Sequence, residues 1–307
     1  MLDEVFDKKS SHIIKGSSSA DCDTLLVRSK YDIHLLVRIV DDFLLISTNK
    51  ETSTRFLQKL NRGIPSLGVK INMDKSLVNY PLELENAATG KMEAVDACQN
   101  FSFPWCGLVI NTRTCEISLD YQRFSGSQAT DAVVIHRTGN EGLHLKKKMK
   151  DFVRPRCSQK LLFSGCVNGI DTIRLNFYQT FLLCAIKTIH YVKNTNSRMA
   201  SSKHRKFIYD SACDTIQFAF LLISSKIKHG KAPAVSSSAN DGSGAFQLAR
   251  TDALWLGRHA FFVVFQSGGG QFTELCRMFS ESSRTLNRKD LLSVSRRALK
   301  KFPVKKV

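Results

Sequence analysis

Two runs of apolar, β-prone residues, Leu35–Val40 and Phe43–Ile46, flank the adjacent carboxylates Asp41 and Asp42. The pattern predicts a tight hairpin with the aspartates at its bend, close to a core because the flanks are apolar on both faces. Thr48-Asn-Lys-Glu51 has the form of a capping box. A helix is therefore expected next, with Phe56, Leu57 and Leu60 as its apolar stripe and Gly63 as its stop. Short strand-like runs follow at Leu67–Asn72 and Ser76–Pro81, around Asp74 and Lys75. Phe103–Ile110 and Cys115–Leu119 are expected to form a second hairpin across Asn111–Thr114.

From about Leu143 the apolar period becomes helical. Leu145, Met149, Phe152 and Val153 mark one helix face, and Asn168 or Asp171 is a candidate cap for a long helix running through Ile173, Phe177, Phe181 and Ile189. Further helices are expected at about 202–229 (stopped by Gly230), 245–265, 273–280 and 289–302, with a Ser/Gly/Ala-rich loop over 232–243. The second half thus reads as all-helical, with a core of Leu, Ile and Phe.

The paired aspartates carry the chemistry. Ionised carboxylates beside apolar surroundings cost several kcal/mol unless something positive offsets them. The usual offset is a hard divalent cation, which prefers carboxylate oxygen and keeps positions open for phosphate, as nucleotidyl transfer requires. The plainer reading is a polar turn, since Asp is a common turn residue. The favoured two-residue hairpin turns, however, want Gly or Asn, and neither stands here.

Composition narrows the partners. The chain has 307 residues, 43% of them hydrophobic, which is enough for one large or two modest domains. Its 45 Lys+Arg against 27 Asp+Glu give a net charge of +18, and such an excess favours a polyanion. A membrane is disfavoured because the most apolar stretch, Ala253–Phe265, contains Arg258 and His259. Nine scattered cysteines without C-x-x-C spacing fit a reducing compartment better than a disulfide framework or zinc. His34, on an apolar strand, reads as a core histidine. Seven basic residues lie between Lys146 and Lys160, with Asp151 as the one acid. Lys146, Lys147, Lys148, Lys150, Arg154 and Arg156 are the candidate nucleic-acid contacts, the alternative being a solvated helix face.

In the order of its segments the chain resembles the telomerase reverse transcriptases. The VDDFLLIS segment resembles their motif C, GVKIN-MDK-SLVNYP their motif D, and FPWCGLVINTRTCEISLDY their motif E, the primer grip. The resemblance implies an α+β fold: part of a polymerase palm, antiparallel hairpins with a helix, over residues 1–125, then a helical thumb over 126–307. It implies that Asp41 is a Mg²⁺ ligand, with Asp42 beside it as either a second ligand or only a neighbour, and that Lys75 protonates or charge-stabilises the leaving pyrophosphate. An ordinary solvated lysine in a turn is the equal alternative for Lys75. Trp105, Cys106, Gly107 and Leu108 would place the primer 3′ end, and are equally readable as a buried aromatic and a tight turn.

The implied partners are telomerase RNA, single-stranded telomeric DNA, the RNA–DNA hybrid and deoxynucleoside triphosphates, in the nucleus at the telomere. Met1–Phe6 reads as the tail of a helix and Ser17–Ala20 as a loop. Nothing before His34 reads as a strand supplying the further metal-binding aspartate that a palm needs, so the chain looks like a C-terminal portion unable to polymerise alone. A retroelement reverse transcriptase and a truncated, non-catalytic RNA–DNA-binding module are the rival readings.

Overall fold

The computed structural model describes residues 12–19, 22–28, 32–63, 71–85, 92–121, 133–135, 140–195, 202–228, 247–284 and 288–301. The fold is α+β and divides into two compact units, residues 1–113 and 114–307. The expected features at Met1–Phe6, most of Leu67–Asn72, Gly230 and 232–243 lie outside the described residues.

The first unit begins with a four-stranded antiparallel meander, β1 (His12–Ser19), β2 (Cys22–Arg28), β3 (Ile33–Ile39) and β4 (Asp42–Ser47), paired in chain order. Ser17–Ala20 is therefore not simply a loop, because Ser17 and Ser19 pair with Asp23 and Cys22 at the end of the β1–β2 ladder. Pairing with β2, itself paired with β3 along Cys22–Arg28, lets these polar residues be strand without an alternating pattern of their own. β3 and β4 are in register from His34 opposite Ser47 to Ile39 opposite Asp42. Helix α1 (Lys50–Arg62) packs Phe56 and Leu60 on Leu36 and Leu45 of these strands.

The cap of α1 is Asn49, whose side chain accepts from the Thr52 amide at 3.1 Å. Thr48, the expected cap, is instead spent across the sheet: its amide donates to the Ile33 carbonyl and its hydroxyl accepts from the Ile33 amide. Gly63 ends the helix at φ 70°, as its type predicts. Leu57 reaches a second small cluster of Val78, Leu84 and Val95. That cluster underlies the paired short strands β5 (Leu77–Val78) with β8 (Asp96–Ala97) and β6 (Glu83–Glu85) with β7 (Met92–Ala94). The stretch expected as a single arm over 103–110 is two strands, β9 (Ser102–Trp105) and β10 (Leu108–Asn111), folded about Cys106 and Gly107.

The second unit holds one short strand, β11 (Ile117–Leu119), and helices α2 (Glu141–Cys157), α3 (Lys160–Phe163), α4 (Ile170–Asn194), α5 (Ser202–Lys228), α6 (Arg250–Ser267), α7 (Thr273–Arg284) and α8 (Lys289–Lys301). α4 lies at the centre and is buried on nearly every side, from Ile173 to Val192 almost without a break. Neither Asn168 nor Asp171 caps it; Gly169 does. Asn168 is buried and occupied elsewhere, accepting from the Ile117 amide at 2.7 Å and donating to the carbonyls of Leu161 and Leu162. Asn176, eight residues on, repeats this with bonds to Leu119, Ile117 and Leu162.

α6 crosses α5 so closely that a Cβ on Gly257 would lie 2.6 Å from Ile216 Cγ1. Phe261, Phe265, Phe272 and Phe279 form an aromatic core between α6 and α7, with Phe261 stacked on Phe265 and Phe279 and Phe272 edge-on to Phe265. At one end of the bundle, Asp252 of α6 is buried and held by two arginines. Arg174 of α4 donates to its Oδ2 at 2.6 Å and Arg288, just before α8, to its Oδ1 at 2.6 Å. Asp290 of α8 closes the network on both arginines.

Candidate functional site

Strand register sets the geometry of the aspartate pair. Ile39 faces Asp42, so the two-residue turn is Val40-Asp41, and Asp42 is the first residue of β4. The bend is thus one residue earlier than the sequence suggests. Val40 has φ 52°, a conformation that β-branched residues avoid. The Arg38 Nε donates to the Val40 carbonyl at 2.8 Å and its guanidinium lies 5.7 Å from the Phe43 ring centre, clasping the tip. Contrary to expectation, the tip does not sit against a core. Asp41 and Asp42 are exposed, as are Val40 at 60% and Phe43 at 43%. The buried positions begin further down the hairpin, at Leu36 and Leu44. His34 is a core histidine as read: it is buried, its Nδ1 lies 2.9 Å from Ser47 Oγ, and burial lowers its pKa.

The β9–β10 turn reaches this tip. Cys106 and Gly107 have φ 47° and 79°, the left-handed pair that a tight two-residue hairpin turn requires. The Cys106 thiol donates to Asp42 Oδ2 at 3.3 Å, across 64 residues of sequence. Trp105 is half-buried, and its indole Nε1 is shielded from solvent with no hydrogen-bond partner among the described residues. Leu108 opens β10 opposite Trp105. Lys75 is exposed in a single 3₁₀ turn, Met73–Lys75, whose Asn72 caps the Asp74 amide. Among the described residues, the contacts bring Asp42 and Cys106 together and do not tie Lys75 to them.

Two adjacent, solvent-reachable carboxylates are the hard oxygen donors that a magnesium ion takes. Asp42 Oδ2 already accepts the thiol, so Asp42 Oδ1 and the Asp41 carboxylate are the oxygens that fit a cation. Among the described residues no group of three His, Cys, Asp or Glu gathers that would hold a metal without help. The pair suits an ion completed by water, phosphate or a carboxylate from elsewhere.

In the helical unit the six basic candidates divide by their spacing on α2. Lys146, Lys150 and Arg154 fall on one line at successive four-residue steps, and that line faces α5. Lys146 Nζ pairs with Asp214 at 2.7 Å, while Lys150 and Arg154 lie 5.5 and 5.1 Å over the Phe218 ring. Arg156 donates to the Phe152 carbonyl at 3.1 Å. Lys187 of α4 lies 5.3 Å over the Phe152 ring, its pKa lowered by burial and then by Arg156. Lys147 is exposed and Lys148 half-buried.

Residues 143–279, from α2 into α7, match the family model for the telomerase reverse transcriptase C-terminal extension. The chain is similar to the C-terminal part of telomerase reverse transcriptases. The telomerase reverse transcriptase of Canis lupus familiaris is 28% identical over 254 residues, which is 83% of this chain and 22% of that protein. That of Arabidopsis thaliana is 25% identical over 268 residues, 85% of this chain and 22% of that protein. That of Mus musculus is 33% identical over 156 residues, 50% and 13% respectively. The chain thus spans about a fifth of the length of the first two.

The telomerase C-terminal extension match covers the helices that carry the basic line, together with two residues that the sequence reading passed over, Phe218 and Lys187. The i, i+4, i+8 spacing of Lys146, Lys150 and Arg154 was the available signal, since it points three cations at one neighbouring helix. The resemblance alone places Cys106 in a grip and says nothing of Asp42. A cysteine at the first position of a turn that favours Asn or Gly was the sign of its contact with Asp42. No helix among the described residues is long and apolar enough to cross a membrane.

Proposed function

We propose that this chain supplies the metal-binding hairpin and the helical thumb of a telomerase reverse transcriptase. That enzyme adds deoxynucleotides to the 3′ end of telomeric DNA on an RNA template, in the nucleus. The contact of Cys106 with Asp42 carries the reading: two segments that resemble motif C and motif E meet at one point, where a primer end would have to lie beside the metal ligands. A magnesium ion held there supplies charge stabilisation for in-line attack of the primer hydroxyl on the α-phosphate. Asp41 and Asp42 present the oxygens that hold it. The Cys106-Gly107 turn and Trp105 position the primer end, and Lys75 serves the leaving pyrophosphate. The exposed cations of α2 touch the backbone of the template–primer hybrid without reading its sequence.

Reconstitution tests this. The remaining part of a telomerase reverse transcriptase and a telomerase RNA are combined with this chain, and primer extension is measured. Extension is expected with the native chain and at least 100-fold less with Asp41→Ala, a loss of about 2.7 kcal/mol or more of transition-state stabilisation. Extension at the native rate with Asp41→Ala refutes the metal-ligand assignment.

A further inference from the structure

The Cys106 position is an odd choice for its backbone. Both central residues of the β9–β10 turn are left-handed, and in such turns the first position favours Asn, Asp or Gly. Gly107 fits the second position; Cys106 does not fit the first. Strained residues of this sort persist where the surroundings hold them, and they cluster where function is served. Here the side chain has a use. Its thiol sits 3.3 Å from Asp42 Oδ2 and donates to it.

The alternatives show why a thiol suits. Asp at this position would set another carboxylate against Asp42 and repel it. Asn would bring a carbonyl oxygen as well as a donor, and Gly would bring nothing. A thiol offers one weak, uncharged donor that can turn to Oδ2 without adding charge. We propose that Cys106 is a positioning residue for Asp42: its hydrogen bond occupies Oδ2 and turns Oδ1 outward as the oxygen offered to the cation. Outer groups that orient a ligand in this way are commonly worth 10–100-fold in metal affinity. The inference rests on the proposed metal role of Asp41 and Asp42, and it adds a residue that works through Asp42 without touching the ion.

Manganese(II) serves as the probe, its binding to the full 307-residue chain read from loss of the free-ion electron paramagnetic resonance signal. Native chain, Asp41→Asn, Asp42→Asn, Cys106→Ala and Cys106→Ser are compared, with melting curves to establish that each is folded. Cys106→Ala is expected to weaken binding by about 10-fold. Cys106→Ser, which keeps a donor, should stay within about twofold of native on the same reasoning. If Asp41→Asn weakens binding and Cys106→Ala does not, the positioning role is overturned while the metal site stands. Serine binding as weakly as alanine also overturns it, because the effect would then lie in packing of the turn. If both aspartate variants bind manganese like the native chain, the metal reading fails and takes this inference with it.

Discussion

Val40 carries a β-branched side chain at φ 52° while leaving 60% of its surface in solvent. An L-residue in the left-handed region costs roughly 1–2 kcal/mol, and little buried area offsets that here. Asn tolerates this conformation better. Val40→Asn should therefore stabilise the first unit by about 1 kcal/mol, seen as a raised denaturant midpoint with an unchanged slope. A lowered midpoint would mean that the valine makes a contact worth more than its strain. The neighbouring Arg38 hydrogen bond to the Val40 carbonyl is made by a side chain two residues back, so the substitution leaves it in place. The aspartate pair was legible in the sequence because like charges between apolar runs are conspicuous. The thiol beside Asp42 was not, since 64 residues separate the partners and the turn residue gave only an indirect sign.

Among the elements, the helices were the easiest to read. α2, α5, α7 and α8 have one wet face and one dry one, and α4 and α6 are long apolar runs. The strands β1 and β2 were missed because His12–Ser19 mixes Gly and Ser with its apolar residues. Their identity comes from pairing, β1 onto β2 and β2 onto β3, not from local preference. Both cap errors share a cause: Thr48 and Asn168 had better partners in a neighbouring strand. The same logic sorts the basic residues of α2. Lys147 is exposed, whereas Lys146 is paired with Asp214. Lys147→Ala is thus expected to weaken binding of an RNA–DNA hybrid and to reduce the salt slope by about one, and Lys146→Ala to change it less. Titration of binding against salt concentration checks both. Equal slopes for Lys147→Ala and the native chain would make that face a solubilising one.

For the molecule as a whole, a half-buried histidine ties stability to acidity. His259 stacks on Trp255 at 4.7 Å, its Nδ1 lies 3.0 Å from the Tyr178 hydroxyl, and burial lowers its pKa to about 4. The unfolded chain binds this proton near pH 6.5, so between pH 6.5 and 4 it holds more protons than the folded one. Stability therefore falls as the pH drops through that window, by up to about 3 kcal/mol. His259→Gln should flatten this dependence in melting curves recorded from pH 7 to 4; an unchanged profile would place the titration elsewhere. The helical second half was legible in the change of apolar period near residue 143, whereas the α+β fold as a whole was what the family resemblance implied.

The last helix is joined to the rest by more than apolar contact. Asp252 sits in the interior with an arginine on either oxygen, and one of those arginines, Arg288, is delivered by the segment that begins α8. A polypeptide ending before residue 288 would keep α4 and α6 yet strand half of that carboxylate's partners, so termination there reaches the centre of the bundle and not merely its edge.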